Sequence, residues 1–95
     1  MAAYLYGNIE ITDPVQYEQY RARVPAVIAA HGGRYLVRGG AVTPLEGQTP
    51  THRQVLLEFA SMAQLQAFYR SADYQPLLRL RQAASTGTLV AIEGV

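Results

Sequence analysis

Three residues of this 95-residue chain have side chains suited to chemistry on a small anionic molecule. Arg38 precedes a pair of glycines, and a guanidinium beside bare backbone can bind a carboxylate or enolate through two hydrogen bonds. Glu58 lies in the apolar run VLLEFA, where burial against helices would raise its pKa towards that of a general base. His31 lies at the end of a predicted helix, whose dipole favours a protonated ring. These patterns suggest Glu58 and His31 as catalytic residues and Arg38 as a substrate-binding residue.

Each of these residues also has a purely structural interpretation. Arg38 would serve equally well in an ion pair with Glu58 or Glu46. For Glu58, a place at a subunit interface or in solvent, paired with an arginine, is the preferred interpretation. For His31, a capping or hydrogen-bonded structural role is preferred. The sequence leaves these alternatives open.

Tyrosines and a further arginine are predicted to lie near the same site. Four phenol groups point inward from predicted helices, namely those of Tyr17, Tyr20, Tyr69 and Tyr74. They suit either an aromatic ligand pocket or a packed core in which the hydroxyl groups reach water. Core packing is the preferred role for most of them, and Tyr20 and Tyr74 are the candidates for substrate binding. Arg81 lies on the stripe of Tyr74 and is predicted either to join Arg38 at an anionic site or to pair with Glu93.

The elements that must position these residues follow the order βαββαβ. Four stretches alternate or run apolar, as strands do, namely YLYGNIEI, RYLVR, RQVLLEFA and TLVAIEG. The segments between the first and second stretches, and between the third and fourth, have helical spacing. This order is typical of a ferredoxin-like α+β fold with a four-stranded antiparallel sheet. Such folds support many unrelated activities, so the order predicts architecture rather than chemistry.

The first helix is predicted over residues 14–31. Asp13, followed by proline, is a typical helix start, and Gly32 with Gly33 is a typical end. Pro25 lies inside this segment. Because proline removes a backbone donor and clashes with the preceding turn, we expect a kink or two abutting helices there.

Later boundaries are indicated by turn and cap residues. The remaining strands are predicted over residues 34–38, from near Arg53, and over 88–93. The stretch AVTPLEGQTPT is predicted to be a long loop. Ser61 with Gln64 resembles a capping box, and a break at SAD precedes a further helical piece from Asp73. A turn at residues 85–87 should end that piece.

Composition excludes several classes of function. The chain is 49% hydrophobic and 16% charged, which predicts a single folded domain over residues 1–95. Its net charge is +1 and its eight arginines are scattered, so no nucleic-acid partner is expected. With no cysteine and two histidines, no metal site is predicted. Phosphate-cradling and dinucleotide motifs are absent, so no cofactor is expected. No signal peptide or membrane span is recognisable, which predicts a cytoplasmic protein without a membrane partner.

Several phrases resemble a known family. They are TDPVQYEQY, HGGRYLVRGG, VLLEF, YRSADYQPLLRLR and VAIEG. Together they resemble the domain of unknown function 1330 family, within the dimeric α+β barrel superfamily. Arg38 matches the arginine of the RGG pattern, and Arg81 matches the arginine that closes the S-x-x-Y-x-x-L-x-x-x-R run.

The resemblance implies a homodimer in which the bare sheet faces of two copies pack together. It also implies a pocket between sheet and helices. The family has no settled reaction, while superfamily relatives include cofactor-free monooxygenases and an isomerase. By analogy we expect either a cofactor-free enzyme acting on a small organic acid or aromatic metabolite, or a non-catalytic binding or stress-linked homodimer.

Overall fold

The computed structural model describes residues 1–48 and 52–95, which form one four-stranded sheet and three helices. In chain order the elements are β1 (Ala3–Ile11), α1 (Pro14–Ala30), β2 (Arg34–Arg38), β3 (Arg53–Phe59), α2 (Met62–Arg70), α3 (Gln75–Ala84) and β4 (Ser85–Glu93). The sheet order is β2-β3-β1-β4, and all neighbouring strands are antiparallel. The predicted ferredoxin-like α+β fold is therefore confirmed. Of the predicted long loop, residues 49–51 lie outside the described residues.

Helix α1 begins and ends at the predicted signals. The Asp13 carboxylate accepts a hydrogen bond from the Gln16 backbone N–H at 3.1 Å, and His31 is the C-cap. Gly32 follows with φ +77°, a conformation that glycine adopts without a steric penalty. One helix continues through Pro25, so of the two predicted alternatives, a kink or two abutting helices, the second is wrong. Packing of the helix against the core on both sides of the proline outweighs the lost hydrogen bond.

The second helical region divides where the sequence predicts. The Ser61 hydroxyl accepts from the Gln64 N–H at 3.1 Å and so caps α2. Between α2 and α3, the Ser71 hydroxyl donates to the Phe68 carbonyl at 2.8 Å and accepts from the Tyr74 N–H at 3.2 Å. This short turn redirects the chain and brings Tyr74 into the core, where it is 1% exposed.

The final strand begins three residues earlier than predicted. Helix α3 ends at Ala84, and Ser85 already pairs with Ile11 of β1. The predicted turn at residues 85–87 is therefore wrong. Gly87 has φ +142°, and a Cβ at this position would overlap the Asn8 backbone carbonyl. The glycine that suggested a turn therefore permits close pairing between β4 and β1.

All helices lie against one side of the sheet, which we call the helix face, and the other side is the open face. On β1 the buried residues alternate with half-buried ones that belong to the open face. The main core cluster lies between helix face and helices: Ala3, Leu5, Val24, Ile28, Leu57, Phe59, Leu65, Phe68, Tyr74 and Leu77. The open face retains exposed apolar side chains, including Val37, Val90 and Ile92, which are 41%, 46% and 51% exposed.

Across the described ranges 1–48 and 52–95, helices fall short of the length and apolarity that crossing a membrane requires.

Candidate functional site

A cavity between the helix face and the helices has a polar lining made of arginines and tyrosines. We call it the arginine cavity. Its polar lining consists of Arg21, Arg38, Arg53, Arg81, Tyr17, Tyr20, Tyr35 and Tyr74, and the remaining lining residues are apolar. No Asp or Glu is among the described residues that line it. Its volume of about 30 Å³ is enough for about two water molecules.

A β-bulge in β2 brings Arg38 to this cavity. Tyr35 pairs with Leu57, but Val37 pairs with the next residue, Leu56, so Leu36 is an extra residue in β2. Tyr35 and Arg38 would lie on opposite faces of a regular strand. The extra residue shifts the alternation by one position. Arg38 therefore pairs with Val55 and lies on the helix face, like Tyr35.

The bulge leaves Arg38 with an aromatic and a backbone contact rather than an ion pair. Its guanidinium lies 4.8 Å from the centroid of the Tyr35 ring, and its Nη2 donates to the Arg21 carbonyl at 2.9 Å. Within the described part of the chain, neither Glu58 nor Glu46 pairs with it. The ion pair considered as the structural role of Arg38 is therefore not formed among these residues.

Arg81 is the most buried charged group at this site. It is 9% exposed, and its Nε is buried without a hydrogen-bond partner among the described residues. The predicted stripe of α3 is confirmed, since Leu77 and Arg81 are both buried. The predicted pair with Glu93 does not form in the described chain, and Arg81 instead lies near Tyr74 and Tyr20. Arg81 and Arg38 thus line one cavity, which was the other predicted arrangement.

Arg53 is a lining residue that sequence reasoning missed. Its Nε is also buried and unpaired among the described residues, and a Cβ on Gly39 would overlap its guanidinium. Gly39 has φ +69°, so it both turns the chain after β2 and leaves room for this arginine. The alternation of β3, which places Arg53 on the same face as Val55 and Leu57, is the signal that would have identified it.

Two tyrosines predicted as binding residues meet in the cavity. The hydroxyls of Tyr20 and Tyr74 lie 2.9 Å apart, within hydrogen-bonding distance. Burial, together with the nearby Tyr74, raises the pKa of Tyr20 far above its usual value. Burial likewise raises the pKa of Tyr17 and of Tyr35. The phenols of Tyr17, Tyr20 and Tyr35 are therefore neutral hydrogen-bonding groups at physiological pH.

Glu58 lies on the opposite side of the sheet from the arginine cavity. It pairs with Tyr4 in β1 and Arg34 in β2, and Arg34 Nε donates to its Oε1 at 2.8 Å. The Arg34 hydrogen bond lowers the pKa of Glu58, although we predicted that burial against helices would raise it. Alternation in β3 directs Glu58 to the open face instead, where an arginine stabilises its charge, as the preferred interpretation of Glu58 predicts.

His31 also lies outside the arginine cavity. Its Nε2 is 3.5 Å from the Asp73 carboxylate, and its ring lies edge-on to Phe68 with centroids 5.9 Å apart. These contacts join the end of α1 to the α2–α3 turn, as the structural alternative predicts. In the described part of the chain, His, Asp and Glu form no group of three or more that would hold a metal ion.

The family relationship covers almost the whole chain. Residues 2–95 match the family described as "Domain of unknown function (DUF1330)". The chain belongs to this family. The DUF1330 description carries no activity, and no match is found among curated proteins.

Solved structures share the fold of this DUF1330 protein at low sequence identity. A protein of unknown function from Rhodopseudomonas palustris, RPA0582, has a TM-score of 0.78 at 19% identity, covering 99% of this chain and 82% of that one. A dimeric ferredoxin-like protein of unknown function from Jannaschia sp. CCS1 has a TM-score of 0.69 at 14% identity, covering 99% and 100%. SnoaB, a cofactor-independent oxygenase from Streptomyces nogalater, has a TM-score of 0.68 at 12% identity, covering 99% and 93%. At these identities the likeness shows the fold alone.

Proposed function

We propose that this protein is a homodimer that binds a small organic acid, or the enolate of an aromatic metabolite, in the arginine cavity. The observation that carries the proposal is Arg81, a buried cation whose Nε has no hydrogen-bond partner among the described residues, in a cavity that none of the described carboxylates lines. Burying a charge without a partner is costly, and buried charges in proteins are normally paired. A bound anion would supply the missing partner.

The lining residues divide into charged and neutral groups that contact different parts of such a ligand. Arg81 and Arg53, whose buried Nε atoms lack partners among the described residues, bind the anionic oxygens. Arg38 adds a third cation from the end of β2. Tyr20 and Tyr74 orient the ligand through their hydroxyls. Glu58 and His31 have no part in this proposal because neither lines the arginine cavity.

Binding without catalysis is the favoured form of the proposal. Proton abstraction needs a base in contact with the ligand, and the described lining residues include no carboxylate or imidazole. A cofactor-free oxygenase or isomerase reaction is the second candidate. It is favoured by the cations and phenol donors, which would stabilise an enolate formed by an acidic substrate, and by the fold shared with SnoaB.

The homodimer accounts for the open face of the sheet. Apolar side chains there, among them Val90 and Ile92, are about half exposed, and contiguous apolar patches of this kind are unusual on monomers. A second copy presents the same surface, so pairing about a two-fold axis buries both faces at once. The Jannaschia protein of the same fold is described as dimeric, which supports this arrangement.

The proposal is tested by removing the buried charge. Losing a hydrogen bond to a charged group costs about 1.5–3 kcal/mol, so Arg81→Gln should weaken binding of acetate and benzoate about tenfold to a hundredfold. Arg79→Gln is the matched control because Arg79 is an exposed arginine of the same helix. Two-dimensional NMR titration measures both affinities and reports whether each variant is folded.

A second variant protects the test against misfolding. If Arg81→Gln does not fold, Arg53→Gln removes the other unpaired cation from the edge of the cavity and should weaken both acids in the same way. Absence of acetate and benzoate binding by the unaltered protein would refute the proposal. Equal affinities in the arginine variants and the control would refute it too.

A further inference from the structure

A second cavity adjoins the arginine cavity on the same side of the sheet. This outer cavity, of about 260 Å³, lies between α2 and β4 and is lined by Leu5, Leu65, Gln66, Tyr69, Arg70, Leu89, Val90 and Ala91. Leu5 and Leu89 line both cavities. These two side chains therefore separate the small arginine cavity from the larger outer cavity.

We propose that the two cavities form one binding site for an acid with a bulky apolar body. The anionic group lies among the arginines, and the aromatic or aliphatic body passes Leu5 and Leu89 into the outer cavity. This assignment rests on the proposed function and names its ligand class. A volume of about 30 Å³ admits no more than a carboxylate group, so the rest of any larger acid needs a neighbouring space.

The lining of the outer cavity matches the body of such a ligand. Leu65, Leu89 and Ala91 provide apolar walls, and the cavity volume of about 260 Å³ lies near the lower end of the roughly 300–1,000 Å³ found for drug-sized ligands. Arg70 is the one charged residue of its described lining, and it is exposed. Tyr69 connects the two spaces, because its ring packs 5.8 Å from that of Tyr74.

Leu89 is the side chain that opens the way between the two cavities. It is half-buried on β4, which forms one edge of the sheet, whereas Leu5 is 6% exposed in a central strand. A rotamer change at an edge strand displaces fewer packed neighbours than one in the core. The ligand body therefore takes the place of the Leu89 side chain in contact with Leu5, and its apolar surface excludes water from that contact.

A bulky residue at the rim of the outer cavity tests this arrangement. Gln66 is exposed on α2 and lines the outer cavity, while Ala67 is exposed on the same helix but lines neither cavity. Gln66→Trp should weaken 2-naphthoate binding at least tenfold and leave acetate binding unchanged. Ala67→Trp should change neither affinity. In the unaltered protein 2-naphthoate should bind at least tenfold more tightly than acetate.

Several results would overturn the inference, and they are distinct from failure of the proposed function. If acetate binding depends on Arg81 but 2-naphthoate binds no more tightly, or is insensitive to Gln66→Trp, the arginine cavity acts alone. If 2-naphthoate responds to Gln66→Trp but not to Arg81→Gln, the outer cavity is a separate apolar site. Loss of the proposed function itself would instead appear as no binding of acetate or benzoate.

Discussion

Individual side chains at the arginine cavity differ in how their charge is balanced. Arg21 already has a bidentate pair with Glu18, with both N···O distances at 2.8 Å. Arg53 and Arg81 have no carboxylate partner among the described residues, and each has a buried, unpaired Nε. A guanidinium keeps its proton even when buried, so it cannot escape the cost by becoming neutral. The two unpaired arginines are therefore the groups most able to gain from a bound anion.

Tyr20 provides a residue-scale prediction that depends on pH. Because burial raises its pKa in the folded state, the unfolded chain ionises first, at about pH 10. The resulting stabilisation is complete below pH 10 and is lost as the pH rises above it. Tyr20→Phe removes the ionisable group, so its melting temperature should fall less steeply than that of the unaltered protein from about pH 9 to 11, the range around the ordinary tyrosine pKa of about 10 in the unfolded chain. Thermal melts monitored by circular dichroism would show this, and identical alkaline slopes in the two proteins would contradict it.

Strand β2 and the glycines after it act at the scale of an element. The bulge at Leu36 turns Arg38 towards the helices, and Gly39 then leaves space for Arg53. Five residues of strand and Gly39 thus position two of the cavity's arginines. A small change in this segment should affect the binding site more than the rest of the fold.

Gly39 and Gly40 form a matched pair for testing that claim. Gly39→Ala introduces a Cβ at φ +69° and against the Arg53 guanidinium, so the free energy of unfolding should fall by at least about 1 kcal/mol. For a domain of this size the melting temperature should drop by about 4–8 °C. Gly40→Ala meets no atom within 4 Å and should be close to neutral. Benzoate binding should weaken in Gly39→Ala alone, and equal effects in both variants would show that Arg53 does not need this space.

On the scale of the whole molecule, the sheet separates two surfaces with different properties. Its helix face holds the cavities and the core, while its open face presents apolar side chains around the Arg34–Glu58 ion pair. The protomer measures 35 × 34 × 16 Å, so the open face is one broad side of a flat particle. A flat apolar surface suits association with an identical surface.

The proposed dimer is tested by placing a charge on the open face. Val90 pairs with Tyr6 on that face and is 46% exposed, so Val90→Lys should bury one charge from each protomer in the proposed interface. Sedimentation velocity should then show a monomer where the unaltered protein is a dimer. Val15→Lys, on the 75% exposed Val15 of α1, is the control and should remain dimeric. A dimer that survives Val90→Lys would place the interface elsewhere.

Most elements of the fold were predictable because their signals are local. Asp13 and Ser61 cap helices through bonds to residues three positions away, and Gly32 ends α1 through its own φ angle. Where prediction failed, distant contacts decided the outcome. Ser85 joined β4 because Ile11 pairs with it, and α1 continued through Pro25 because its flanking residues pack in the core.

By itself, the sequence determined the order of strands and helices, the ferredoxin-like class and the candidacy of Arg38, Arg81, Tyr20 and Tyr74, since caps, glycines and alternation act over a few residues. Only the tertiary structure decided that these side chains meet in one cavity with Arg53, and that Glu58 and His31 lie elsewhere. The bulge in β2 depends on its pairing with β3, and one extra residue reverses the face of every side chain beyond it. Charge balance likewise depends on neighbours that are distant in sequence, so only the tertiary structure shows that Arg81 Nε is buried without a partner among the described residues.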